Sequence, residues 1–217
     1  RGNRNVRLFE LGHVFERDPQ APAVPALPGG RKPSPEQLEA LDAGLPHQPE
    51  HIAGILTGHA EEPGWLGQPR PVDWTDAAEV VRRLADRLGA DIRFIQPAPE
   101  DVPAQWHPGR FAYAELPDGT RVGVLGELHP QINSRMDFPE HSAAFEIDLT
   151  VLFSKITYRP LQAQHISVYP PVHQDFAFTV HKGITSRQLE TAIRDASGEY
   201  CEAVELFDVY SGDQVED

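Results

Sequence analysis

The 217 residues are 40% hydrophobic and 24% charged, ordinary for a globular chain with room for one large domain or one domain and part of another. A formal net charge of −14 with no Lys/Arg run argues against strong phosphate binding by this stretch alone. The single cysteine, Cys201, excludes an intrachain disulfide and a multi-cysteine zinc site and fits a reducing cytoplasm, and no apolar run approaches the roughly 20 residues of a membrane span.

Asn5 to Phe15 reads as a strand with apolar residues on both sides of its alternation, so both faces are expected to be covered. From 17 to 50, eight prolines interrupt nearly every turn. A surface loop is expected there, with a docking arm as the alternative and one short helix from Ser34 or Pro35 to Leu41, capped by Ser34. His51 to Gly58 reads as a second buried strand and Glu61 to Pro71 as a loop. Trp65 and Trp74 are expected to pack on the helix that follows, a base-stacking platform being the alternative. That helix, Asp73 to Leu88, carries one apolar stripe (Ala77, Val80, Val81, Leu84, Ala85, Leu88), a cap at Asp73 or Thr75, and Gly89 at its end.

After a strand at Asp91 to Ile95 comes the best-marked stretch. Arg110 to Leu116 and Arg121 to Glu127 flank Pro117-Asp118-Gly119, and Asp-Gly between two β-prone runs predicts a hairpin. His107-Pro108-Gly109 is expected to admit the chain to the sheet, and His129-Pro130 to lead it into a helix running to about Met136. Ala143 to Leu149 alternates cleanly, with Phe145, Ile147 and Leu149 inward and Glu146 and Asp148 outward.

The expected fold class is α+β. An antiparallel-sheet module spans residues 1–157, a linker 158–165, and a second unit 166–217. In that unit a strand from Asp175 to Val180, a helix from Thr185 to Ala196 with a Thr185/Gln188 capping box, and a strand from Glu202 to Tyr210 make part of a ferredoxin-like βαβ arrangement. Arg1 in place of an initiator Met, and the Ser211-Gly212-Asp213 turn signal near Asp217, lead to the expectation of an excised fragment.

No Gly-x-Gly-x-x-Gly, P-loop, Gly-x-Ser-x-Gly or His-Glu-x-x-His occurs. His47 and His51 lie four apart but flank a proline at a strand mouth, which does not suit a helical zinc site. His107, His129 and Glu127 form an acid/base or metal cluster if they converge; otherwise the two His-Pro pairs simply turn the chain, and that is the expectation. No catalytic residue and no metal ligand is assigned. Glu146 and Asp148 are expected to do no more than keep a wet strand face.

Five stretches in this order resemble the β subunits of bacterial phenylalanyl-tRNA synthetases: Asn5–Gly12, His107 through the hairpin to Pro130, Phe145–Leu149, Tyr169–Ala177 and Phe207–Gly212. The resemblance implies a class II synthetase-like core that lacks catalytic residues, followed by the start of a ferredoxin-fold anticodon-binding domain. It implies an α subunit that activates phenylalanine with ATP and magnesium and charges the tRNA, these cofactors belonging to the whole enzyme and none to this stretch. It also implies phenylalanine tRNA as a partner, contacted through Tyr169, His173 and Gln174, with no membrane. Members of the family carry Arg-Arg-Asp or Arg-Gln-Asp where this chain has His173-Gln174-Asp175, which weakens any phosphate contact carried over. Two other readings stand beside this one. One is a protein-interaction module with an acidic surface, and the other a metal-dependent hydrolase using the His and carboxylate residues near the hairpin.

Overall fold

The computed structural model describes residues 5–27, 29–62, 64–65, 67–157, 168–181 and 183–210. The chain divides into two compact units, Arg1–Gln162 and Ala163–Asp217. The expected linker at 158–165 lies outside the described residues.

The first unit is a six-stranded antiparallel sheet in the order β1-β2-β8-β7-β6-β5: Val6–His13, Glu50–Thr57, Ser142–Asp148, Arg121–Leu128, Trp106–Glu115 and Arg93–Ile95. A two-stranded piece, β3 (His59–Glu61) with β4 (Arg70–Pro71), occupies part of the expected 61–71 loop. Helices α1 (Pro35–Ala43), α2 (Trp74–Leu88), α3 (Pro130–Met136) and α4 (Leu149–Lys155) complete it.

The strand register fixes which residues share the covered face. Ile52 opposes Ile147, Gly54 opposes Phe145 and Leu56 opposes Ala143, while Gly123 and Leu125 of β7 meet Ile147 and Phe145. Ala77, Ala78, Val81 and Ala85 of α2 are buried in the same cluster. Small residues on the helix let the two layers approach closely; of the expected stripe Ala77, Val81 and Ala85 are buried and Leu84 and Leu88 pack against the core, but Val80 is exposed and Ala78 is buried instead. Asp73 caps α2, with its side chain accepting the Thr75 N–H, and Gly89 ends it at φ 68°. Ser34 with Gln37 forms a capping box on α1, which starts where expected and runs two residues further.

At the hairpin, Gly119 takes φ 81° as the Asp-Gly turn requires, and Leu116 and Thr120 close the loop through a 2.9 Å bond from the Leu116 N–H. α3 spans Pro130–Met136 as expected, with His129 as its cap.

Four expectations about the elements of this unit are corrected by the packing. The apolar residues of β1 are not covered: Leu8 is 65% exposed, Phe9 74% and Leu11 54%. β1 is an edge strand, and no described element packs on either of its faces at these positions; alternation reports which residues are apolar but not what lies above them. Trp65 does not pack on α2, being 94% exposed on a turn closed between Gly64 and Gly67, while Trp74 is 43% exposed. His107-Pro108 does not admit the chain to the sheet. β6 begins at Trp106, and these residues lie in a bulge between Trp106 and Phe111. The inward alternation of β8 stops at Asp148, because its carboxylate accepts the Val151 N–H and starts α4, an unexpected helix that buries Leu149 and Leu152.

In the second unit α5 (Ser186–Ser197) carries the expected Thr185/Gln188 capping box and ends at Gly198. The strands expected at Asp175–Val180 and Glu202–Tyr210 are not formed: among the described residues both segments lack a ladder, and Phe176, Phe178, Leu206 and Val209 are exposed. Strand propensity belongs to single residues, whereas a ladder needs a partner strand, and the described residues supply none here.

Candidate functional site

Two polar clusters lie on the sheet of the first unit. The first is made by the β6 bulge. Residues 107–110 stand against fewer partners on β7, and the extra backbone re-aims Arg110, whose Nη1 donates to Glu127 Oε2 at 2.8 Å. The His141 ring reaches the same oxygen at 3.5 Å. The Glu127 side chain is only 5% exposed, so its charge is met by groups on two flanking segments rather than by water.

His107 and His129 do not join this cluster. Each ring turns back on its own backbone instead: His107 Nδ1 accepts the Gly109 N–H at 3.1 Å and His129 Nδ1 accepts the Gln131 N–H at 3.2 Å. Both are the same local device, a ring nitrogen satisfying the N–H two residues on, across a proline that offers none. Each ring thereby braces its own stretch of backbone. Arg110 and His141 were missed as the partners of Glu127, since the register shift that aims Arg110 leaves no periodic mark.

The second cluster joins β2 and β8 on the face away from α2. His51 and Asp148 are register partners, and His51 Nδ1 stands 2.8 Å from Glu146 Oε1 while Nε2 stands 3.6 Å from Asp148 Oδ2. Glu146 therefore holds a histidine as well as facing water, with Asp148 near the other ring nitrogen but beyond hydrogen-bond reach, which corrects the expectation that the two only stay wet. His47 lies apart from His51 and meets Glu16 at 3.4 Å. Among the described residues no group of three or more His, Cys, Asp or Glu comes together in a metal-holding arrangement.

A third charged contact ties down the start of α2. Arg70 makes a forked pair with Asp76, at 3.0 and 2.7 Å. Burial works against the charge on Asp76, but Arg70 and the Asp73 N–H outweigh it and hold the carboxyl below its ordinary value.

Each of these contacts ties separate segments of the first unit together, and Glu127 depends on Arg110 for its main partner. Replacing Arg110 with Met should therefore lower stability by about 2–3 kcal/mol, because Glu127 is left buried without its guanidinium. Urea unfolding of Arg110→Met, Glu127→Gln and the double variant checks this. The double variant should lose less than the two single losses added together.

In the second unit Tyr169, His173 and Gln174 are exposed. Between Val168 and Tyr210 the sequence has seven carboxylates against Lys182, Arg187 and Arg194, a poor balance for holding phosphates.

Comparison with known proteins gives this arrangement a family. Residues 1–149 match the model of the phenylalanyl tRNA synthetase beta chain CLM domain, which covers well over half of the chain. The chain belongs to the phenylalanyl-tRNA synthetase β-chain family. Residues 167–217 match the ferredoxin-fold anticodon binding domain. The phenylalanine–tRNA ligase beta subunit of Bifidobacterium longum is 59% identical over 215 residues, 99% of this chain and 25% of the relative. Those of Thermobifida fusca and Streptomyces avermitilis are 39% and 37% identical, over 99% of this chain and 26% of each relative. The chain thus spans about a quarter of the length of the curated relatives it matches. For a member of this family the α+β class expected from the sequence holds, with an antiparallel sheet first and the anticodon-binding match after it.

Proposed function

We propose that this chain is a non-catalytic section of the β subunit of a phenylalanine–tRNA ligase, the enzyme that attaches phenylalanine to its tRNA using ATP. In this reading the first unit scaffolds the α subunit, and the second belongs to the domain that contacts phenylalanine tRNA. The observation that carries it is the order of the two family matches along one chain, core module first and anticodon-binding domain second. The uncovered apolar side chains of β1 support a scaffolding role, since such a strand is expected to be covered in an assembly.

Tyr169, His173 and Gln174 are the side chains assigned to RNA contact on this reading. They act by stacking and hydrogen bonding, since none of them brings a permanent positive charge. On this reading the clustered carboxylates are not ligands for magnesium or ATP, since Glu127 is taken by Arg110, and Glu146 and Asp148 face His51. Those cofactors are placed with the α subunit. A cytoplasmic setting follows from the role in translation; among the described residues no helix is long and apolar enough to cross a membrane. The hydrolase reading is not favoured, because the histidines and carboxylates it needs are engaged in three separate places.

The purified chain should show no phenylalanine-dependent exchange of pyrophosphate into ATP. Measurable exchange, abolished by omitting phenylalanine, would place catalytic residues here and overturn the proposal.

A further inference from the structure

Asp118-Gly119 is the one Asp-Gly step in the sequence. It lies at the tip of the β6–β7 hairpin, with the Asp118 side chain 51% exposed beside an open cavity lined by Gly89, Asp91, Pro117 and Lys155. In such a step the glycine N–H has no side chain of its own to shield it from the neighbouring carboxyl. Both reacting groups are engaged in the folded turn. The Thr120 N–H donates to Asp118 Oδ1 at 2.9 Å, and Lys155 Nζ, reaching over from the end of α4, donates to Oδ2 at 3.1 Å. The Gly119 N–H donates to the Leu116 carbonyl at 2.9 Å.

We propose that Asp118-Gly119 is a latent succinimide site, a place of spontaneous isoaspartate formation that the folded hairpin and Lys155 keep silent. In the reaction the Gly119 nitrogen bonds to Asp118 Cγ and gives up its proton, the Cγ–OH bond breaks, and water leaves. Water then re-enters the ring at Cγ, restoring aspartate, or at the backbone carbonyl, leaving the chain routed through the side-chain carbon. No oxidant or other reagent is required, and the net change is an isomerisation.

The departing oxygen must leave as the hydroxyl of the protonated acid. Here hydrogen bonds from Thr120 and then from Lys155 hold the Asp118 carboxyl down at about 2, so the protonated form is scarce near neutrality. Gly119 cannot turn its nitrogen toward Cγ without breaking its bond to Leu116. The product carries one extra backbone atom at the tip, which displaces Leu116 and Val122 from positions where they are 7% and 1% exposed.

The whole chain is incubated at neutral pH, and isoaspartate is counted by enzymatic methyl transfer and located by mass spectrometry of the peptide around 118. Comparators are the chain in urea and the folded Lys155→Met and Lys155→Arg variants, each checked for unchanged circular dichroism. The folded parent should accumulate isoaspartate at least about tenfold more slowly than the urea-unfolded chain. Lys155→Met should be faster than the parent by about three- to tenfold, the change expected from up to one unit in the carboxyl pKa. Lys155→Arg should return to the parent rate. Equal rates in the folded and unfolded parent would overturn the guarding role of the turn, and an unchanged rate in Lys155→Met would remove Lys155 from it. No isoaspartate at 118 even in urea would show that there is no such site.

Discussion

Gly126→Ala should unfold the first unit at much lower urea than the parent chain. A Cβ at this position would stand 2.3 Å from the Arg110 carbonyl oxygen and 2.8 Å from Phe111 Cα, and Gly126 already sits at φ 157°. Both obstructing atoms are backbone, so no side chain can swing aside. Relief requires opening the pairing of β6 with β7 at the bulge that carries Arg110. The loss is expected to be about 3–5 kcal/mol, overpacking and backbone strain together. A domain has about 5–15 kcal/mol in all, so the variant should be near the edge of folding. Gly12→Ala is the control, because nothing lies within 4 Å of a Cβ there. A midpoint for Gly126→Ala that matches this control would show that the bulge relaxes without strain.

Hydrogen exchange should separate the two units sharply. The amides of Val122, Val124, Phe145 and Ile147 belong to β7 and β8, each of which has a strand on both sides. Those of Phe176, Phe178, Leu206 and Val209 lie in segments without a ladder. Exchange in the central strands requires broad unfolding, so protection there should exceed that of the second set by at least about a thousandfold. Equal protection in a chain shown to be monomeric would mean that the second unit holds a ladder of its own.

The parts of the fold that were legible in the sequence are those decided within a few residues. Ser34 with Gln37, Thr185 with Gln188, Asp73 before α2 and Gly89 after it each state their role locally, and the helices start or stop there. The Asp-Gly hairpin belongs with them. What was not legible depends on partners far along the chain. Alternation marks Leu8, Phe9 and Leu11 as apolar, but only an element packed above them would bury them. Arg110 meets Glu127 through a register shift set by the fit of two strands. The alternation of β8 runs unbroken into Leu149, so the capping role of Asp148 is hidden behind what looks like one more strand residue. The segments Asp175–Val180 and Glu202–Tyr210 show the same limit: strand propensity is a property of residues, but a ladder is a property of pairs.

The pairing of His51 with Asp148 and of Ile52 with Ile147 places β2 beside a strand that the ribosome makes much later. Until β8 emerges, β1 and β2 can pair only with each other, and β5, β6 and β7 form a separate three-stranded piece. The last strand of the sheet to be synthesised is therefore the one that fuses its two halves. A chain stalled shortly before Ser142 would carry two further open sheet edges, on β2 and β7, each lined with groups seeking the same absent strand.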